Sequence, residues 1–88
     1  MSLPDKVTIR QFDGKGFLSW KYVMESVLDQ KGCKKVILEA DISKVDKEVE
    51  SKAKMILALS VAESRISIIR RKETAYLQWK VLCDKFEK

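Results

Sequence analysis

The clearest pattern in the sequence is a stripe of apolar residues that follows two closely spaced glycines. After Asp13-Gly14-Lys15-Gly16, apolar side chains recur at intervals of three and four residues, at Trp20, Val23, Met24, Val27 and Leu28. This spacing is typical of a helix that buries one face. We predict that Ser19 caps this helix and that Lys31-Gly32 ends it, because a cation and then a glycine suit a helix C-terminus.

The same spacing returns twice further along the chain. A long segment from Val45 to about Glu63 is predicted to be helical with Ser43 as its cap, and a final helix is predicted to begin at Thr74. The stripes of these three helices predict a core that includes seven residues: Trp20, Met24, Leu28, Ile56, Leu57, Trp79 and Leu82. Both tryptophans lie on stripes, which favours burial over a role in stacking on nucleic-acid bases.

The connecting segments are shorter and less regular. Lys34–Glu39 contains an apolar run that periodicity alone cannot assign, and we favour a single helical turn there. Ser64 is predicted to restart a short helix, and Val7–Phe12 alternates apolar and polar residues as an extended segment does. The predicted fold is therefore all-α, a small bundle of four to five helices with a short extended N-terminal segment. We expect residues 1–6 to be a flexible N-terminus or a cloning scar, and residues 7–88 to form one domain.

Charge narrows the choice of partners. The chain has 18 Lys and Arg against 13 Asp and Glu, and this net charge of +5 favours anionic partners. The densest basic run is Arg70-Arg71-Lys72, which with Arg65 forms a candidate nucleic-acid contact; Lys31, Lys34 and Lys35 are further basic candidates. Glu48 and Glu50 each precede a lysine by four residues, which predicts an exposed, solvated helix face.

The residue types that support catalysis or metal binding are scarce. The chain has no histidine, and its two cysteines, Cys33 and Cys83, are far apart in the sequence. We therefore predict no enzyme activity, no metal site and no cofactor. Two isolated cysteines favour free thiols in a reducing compartment, the cytoplasm or the nucleus. The uncharged stretch Met55–Ala62 is too short for a bilayer span, so no membrane partner is expected.

Several short motifs occur together in an order that resembles the Gag polyprotein of copia-type LTR retrotransposons. The matching residues are Phe12-Asp13-Gly14, Phe17, Trp20-Lys21, Met24, Leu28, Gly32, Lys52-Ala53-Lys54, Ile56-Leu57-Ala58-Leu59-Ser60, Ile69, Thr74-Ala75, Trp79, Leu82 and Phe86-Glu87. Each motif alone is weak, but the combination, which extends roughly from Val7 to Lys88, is specific. Cys33-Lys34 departs from an aromatic residue usual in the family, and Leu77 from a frequent acidic one.

The resemblance implies the all-helical N-terminal capsid region of Gag. Such a domain binds copies of itself to build a virus-like particle around the element's RNA. The C-C-H-C zinc knuckle of Gag does not occur in these 88 residues. We therefore expect the chain to be a fragment of Gag or a domesticated host protein that keeps the capsid part. The expected partners are copies of itself and RNA, the latter bound weakly and without sequence specificity.

One position suggests where copies would meet. Leu77 is predicted to lie in the first turn of the last helix, off its buried stripe and next to Tyr76. An apolar residue that points to solvent beside a tyrosine suits a weak interface, so Tyr76 and Leu77 are the candidate self-association residues. The alternative hypothesis is a small basic helical module that binds nucleic acid or another protein.

Overall fold

The computed structural model describes residues 10–87, and these residues form five α-helices. The helices are α1 (Phe17–Gln30), α2 (Lys34–Leu38), α3 (Lys47–Leu59), α4 (Ile66–Arg70) and α5 (Ala75–Phe86). Short 3-10 turns at Ile42–Lys44 and Glu63–Arg65 precede α3 and α4. The predicted all-α bundle is confirmed. The predictions for residues 1–6 and for most of the extended segment, 7–9, lie outside the described residues.

Helix α1 begins two residues before its predicted cap. Its N-terminal boundary is Gly16, whose φ of 63° is left-handed, and no side chain caps the helix there. The Ser19 prediction is wrong because the chain turns at Gly16, which lets Phe17 enter the core. The predicted C-terminus is confirmed, since the amide of Gly32 donates to the carbonyl of Asp29 and that of Cys33 to the carbonyl of Leu28.

Helix α3 is shorter at both ends than its sequence pattern predicts. Its cap is Asp46, whose carboxylate accepts from the amides of Glu48 and Val49 at 2.9 and 3.2 Å. Ser43 lies in the preceding 3-10 turn and is not the cap. The helix stops at Leu59 because the next residues pair with the N-terminal segment, where Phe12 forms an isolated parallel bridge with Val61.

The two C-terminal helices begin in different ways. Ser64 lies in a 3-10 turn, so the short helix it was predicted to cap begins instead at Ile66, without a side-chain cap. The predicted cap of α5 is confirmed, since the Thr74 hydroxyl accepts from the amide of Leu77 at 3.1 Å. Among residues 10–87, no helix combines the length and apolar character that crossing a bilayer requires.

An aromatic cluster around Phe12 forms the centre of the core. The ring centroid of Phe12 lies 5.3 Å from that of Phe17, 5.2 Å from Trp20 and 4.7 Å from Phe86. Trp20 also stacks on Trp79, with centroids 6.0 Å apart. These separations are favourable for aromatic pairs. The cluster joins the N-terminal segment, α1 and α5 in one core.

The seven residues predicted for the core divide six to one. Both tryptophans, Met24, Leu28, Leu57 and Leu82 are buried, whereas Ile56 is only half-buried. Ala53 and Leu57 occupy the centre of the buried face of α3, and Ile56 lies at its edge. Burial of Ile56 was therefore overestimated, although its side chain still packs against the core.

Replacing Trp79 with alanine should lower the free energy of unfolding by about 3–5 kcal/mol, because it removes a large buried side chain that stacks on Trp20. Urea denaturation followed by circular dichroism measures the change. The exposed Met55→Ala variant serves as a control and should shift stability by less than about 0.5 kcal/mol. Equal stabilities of the two variants would contradict this description of the core.

Candidate self-association surface

The candidate surface lies where α4 turns into α5, and side chains from α3 support it. The Glu50 carboxylate accepts from the amide of Ala75 at 2.9 Å, and the Lys54 ammonium donates to the carbonyl of Glu73 at 2.9 Å. Both of these α3 side chains are half-buried, so the predicted solvated face is wrong at Glu50 and Lys54, whereas Glu48 and Lys52 are exposed as predicted. Contacts with the turn replace a surface pair along α3, because the start of α5 offers an unpaired amide to a carboxylate.

The side chain of Gln78 also binds the backbone of this turn. This side chain is buried, and its amide nitrogen donates to the carbonyl of Lys72 at 3.1 Å. Its oxygen has no hydrogen-bond partner within the described residues. With Glu50 and Lys54, three side chains thus bind the backbone between Lys72 and Ala75, which gives the turn a defined shape.

The two predicted self-association residues differ in exposure. Leu77 is 41% exposed, as an apolar residue of an interface should be in the free chain, whereas Tyr76 is half-buried. Leu77 is nevertheless the least exposed of the large apolar residues that face solvent. The patch at the start of α5 is therefore small.

Other helices carry more exposed apolar residues that the sequence analysis did not select. Leu18 and Tyr22 on α1 are 63% and 74% exposed, and Met55 and Leu59 on α3 are 56% and 67% exposed. Val23, predicted to lie on the buried stripe of α1, is also exposed. The members of the first two pairs are four residues apart, so a search for a second stripe on each helix would have found them.

Helix α4 separates Arg65 from the other three residues of the predicted nucleic-acid contact. Arg65 precedes this helix, and its guanidinium donates to the carbonyl of Asp13 at 3.1 Å. It lies so close to Gly14 that a Cβ there would meet its Nε at 2.9 Å. The Arg65 side chain therefore stabilises the turn at Asp13-Gly14, away from the other three basic residues at the end of α4.

Arg70, Arg71 and Lys72 remain together beside the start of α5. All three are exposed, and none of their charged groups forms an ion pair or a hydrogen bond within residues 10–87. The further candidates Lys31, Lys34 and Lys35 are exposed at the junction of α1 and α2. The predicted basic residues therefore lie in three places. Arg65 binds the Asp13 carbonyl, whereas Arg70, Arg71 and Lys72 lie at the turn after α4. The three lysines lie at the junction of α1 and α2.

Two surface hollows are lined by different kinds of side chain. The larger, about 480 Å³, lies between α2 and the start of α3, with apolar walls that include Val36, Leu38 and Val49. Its charged rim is balanced, with two lysines and two carboxylates. The smaller, about 190 Å³, is lined by Tyr22, Glu25, Ser26, Asp29 and Lys34.

The two cysteine thiols are both shifted toward the protonated form. Burial raises the pKa of the Cys33 thiol more than nearby Lys52 lowers it, and burial likewise raises the pKa of Cys83. Both thiols are therefore poorer nucleophiles than an exposed cysteine. Within residues 10–87, no three potential metal-ligating side chains come together.

Comparisons with protein-family models, curated proteins and solved structures find no match to this chain. The function is therefore inferred from the motifs that resemble Gag and from the chemistry of the surface.

Replacing Glu50 with alanine should lower the free energy of unfolding by about 1–2 kcal/mol, because the Ala75 amide loses a charged acceptor at a half-buried helix start. Thermal denaturation of the variant measures the loss. Glu48→Ala is the matched control. Glu48 lies in the same helix but is exposed, and its carboxylate accepts no hydrogen bond within residues 10–87. Equal losses in both variants would show that the contact between α3 and α5 contributes nothing.

Proposed function

We propose that this chain is a capsid domain of the copia-type Gag class, which binds copies of itself to build a virus-like particle around RNA. The observation that carries the proposal is the distribution of apolar side chains. Both tryptophans are buried in the core, while α1, α3 and α5 each leave apolar residues on the outside of a small domain. Exposed apolar patches on several faces favour a protein that meets several neighbours.

Weak contacts are the useful kind for such a protein. Each patch is small, so two isolated domains gain little free energy from one contact. In a shell, every copy makes several contacts at once, and the high effective concentration strengthens each of them. A small domain with several such patches can assemble in this way, in the cytoplasm or, as an alternative, in the nucleus.

RNA is the second proposed partner. Arg70, Arg71 and Lys72 form an exposed basic group, and the net charge of the chain is +5. Phosphate groups bind such residues through charge, without reading sequence. The tryptophans are buried and so do not offer a platform for base stacking.

Replacing Leu77 with aspartate in a longer, assembly-competent protein should abolish particles, because a carboxylate would be desolvated at the contact. Electron microscopy and light scattering measure assembly, and circular dichroism should show unchanged helix content. Ser51→Asp places the same charge on an exposed position of α3 and should leave particles intact. Normal particles from the Leu77 variant would show that another surface makes the contact. A protein that stays monomeric at every salt and protein concentration would refute the capsid proposal.

RNA binding by this chain should be weak and insensitive to sequence, and it should fall steeply as salt rises, because phosphate contacts release counterions. Fluorescence anisotropy with two unrelated RNAs over a salt series measures both properties. Arg70→Ala/Arg71→Ala should reduce the salt dependence, while Lys85→Ala, a charge removed at the far end of α5, should reduce it less. Tight binding to one RNA at high salt would instead support a sequence-specific nucleic-acid-binding module.

A further inference from the structure

The exposed face of α1 combines apolar and acidic side chains. We define the α1 face as Leu18, Tyr22, Glu25, Ser26 and Asp29. Leu18 and Tyr22 lie one turn apart, and Tyr22 shares a surface hollow with the other three residues. Tyrosine and leucine side chains so exposed are costly to leave in water and suit the centre of a contact.

The charge of this face is negative. Glu25 and Asp29 carry two negative charges, and Lys34 at the edge of the hollow carries one positive charge. The neighbouring Lys21 is already paired with Glu87, and that hydrogen bond raises the pKa of Lys21. The α1 face therefore has a net charge of about −1.

A second surface has the opposite charge. We define the basic corner as Arg70, Arg71, Lys72 and Leu77. Its three basic side chains outweigh the one carboxylate of Glu73, so its net charge is about +2. Three side chains hold the backbone of this turn, as described above, so its charges and Leu77 are presented in a defined arrangement.

Two other exposed apolar residues, Leu38 and Met55, lie in neutral surroundings. Leu38 belongs to a groove whose rim is balanced, and Met55 shares its side of α3 with Glu48 and Lys52. Neither of these positions has a net charge around it, whereas the α1 face and the basic corner carry opposite charges.

Within one copy, no hydrogen bond or ion pair among residues 10–87 joins these two surfaces. Lys21, next to Tyr22 on α1, meets Glu87 just beyond the C-terminal end of α5. Leu77 lies in the first turn of α5, about 15 Å away along the helix axis. Lys21 and Leu77 thus lie near opposite ends of α5, and each of the two surfaces is free for a neighbour.

We propose that the α1 face of one copy binds the basic corner of a second copy. This inference rests on the proposed self-association and names the two surfaces that carry it. The contact joins two different surfaces, so every copy in a chain keeps one of each unpaired, and further copies add until a ring or shell closes. Tyr22 and Leu77 form its apolar centre, and the surrounding charges fix its orientation.

Charge-reversed variants of the 88-residue chain test the contact. Ser26→Lys/Asp29→Lys makes the α1 face positive, and Arg71→Glu/Lys72→Glu makes the basic corner negative. In low salt, sedimentation at increasing concentrations should show each variant self-associating about tenfold more weakly than the unmodified chain. An equimolar mixture of the two should recover association to within about threefold, because each surface then meets one of opposite charge.

Controls separate this contact from general charge effects and from misfolding. Glu63→Lys/Ser64→Lys makes the same charge change as the α1-face variant, but at an exposed turn outside both surfaces, and should associate like the unmodified chain. Circular dichroism should show equal helix content in all variants. A dilution series of the unmodified chain, followed by amide chemical shifts, should move signals from the α1 face and the basic corner, and this measurement needs no variant.

The outcomes distinguish the two levels of the proposal. If the unmodified chain associates but the variants associate equally well, or the mixture fails to recover association, the contact is refuted and self-association stands. If the unmodified chain stays monomeric at every concentration and salt, the proposed function fails as well. Association that disappears after nuclease treatment but tolerates Asp29→Lys would show that RNA bridges the copies, and would refute the direct contact between them.

Discussion

The carbonyl of Ser60, just after the end of α3, holds the fold together. It accepts the backbone amide of Phe12 at 2.9 Å and the indole N–H of Trp20 at 3.1 Å. Each donor comes from a different part of the chain and would be costly to bury without a partner. These two bonds attach the N-terminal segment and α1 to α3, and they orient Trp20 so that it stacks on Trp79 of α5.

The start of α5 shows how a contact within the fold affects the surface. Helices often receive an acidic residue of their own at the third position, and the resemblance to Gag predicts one there, where this chain has Leu77. Glu50 from α3 supplies a carboxylate to the first amide of α5 instead. Because another helix provides the negative charge, the third position is free to carry an apolar side chain on the outside.

The charged side chains that support the fold are not the ones that remain available on the surface. Glu50, Lys54 and Arg65 use their charged groups on backbone atoms within the fold. The basic side chains at the end of α4 have no such partner within the described residues and remain available. Structural charges and surface charges are thus borne by different residues.

The amino-acid sequence by itself determined where most helices lie, that both tryptophans are buried, that Thr74 caps α5 and that Gly32 follows the end of α1. These features depend on residues within a few positions of one another, so periodicity and capping chemistry predict them. Only the tertiary structure decided that α3 ends at Leu59, that Glu50 and Lys54 support a distant turn, and that Arg65 is separated from the other basic residues. Those features depend on atoms brought together from distant parts of the chain, such as the bond between Arg65 and the carbonyl of Asp13. The spacing of residues along the sequence does not indicate which unpaired backbone group will lie within reach of a charged side chain once the core has packed.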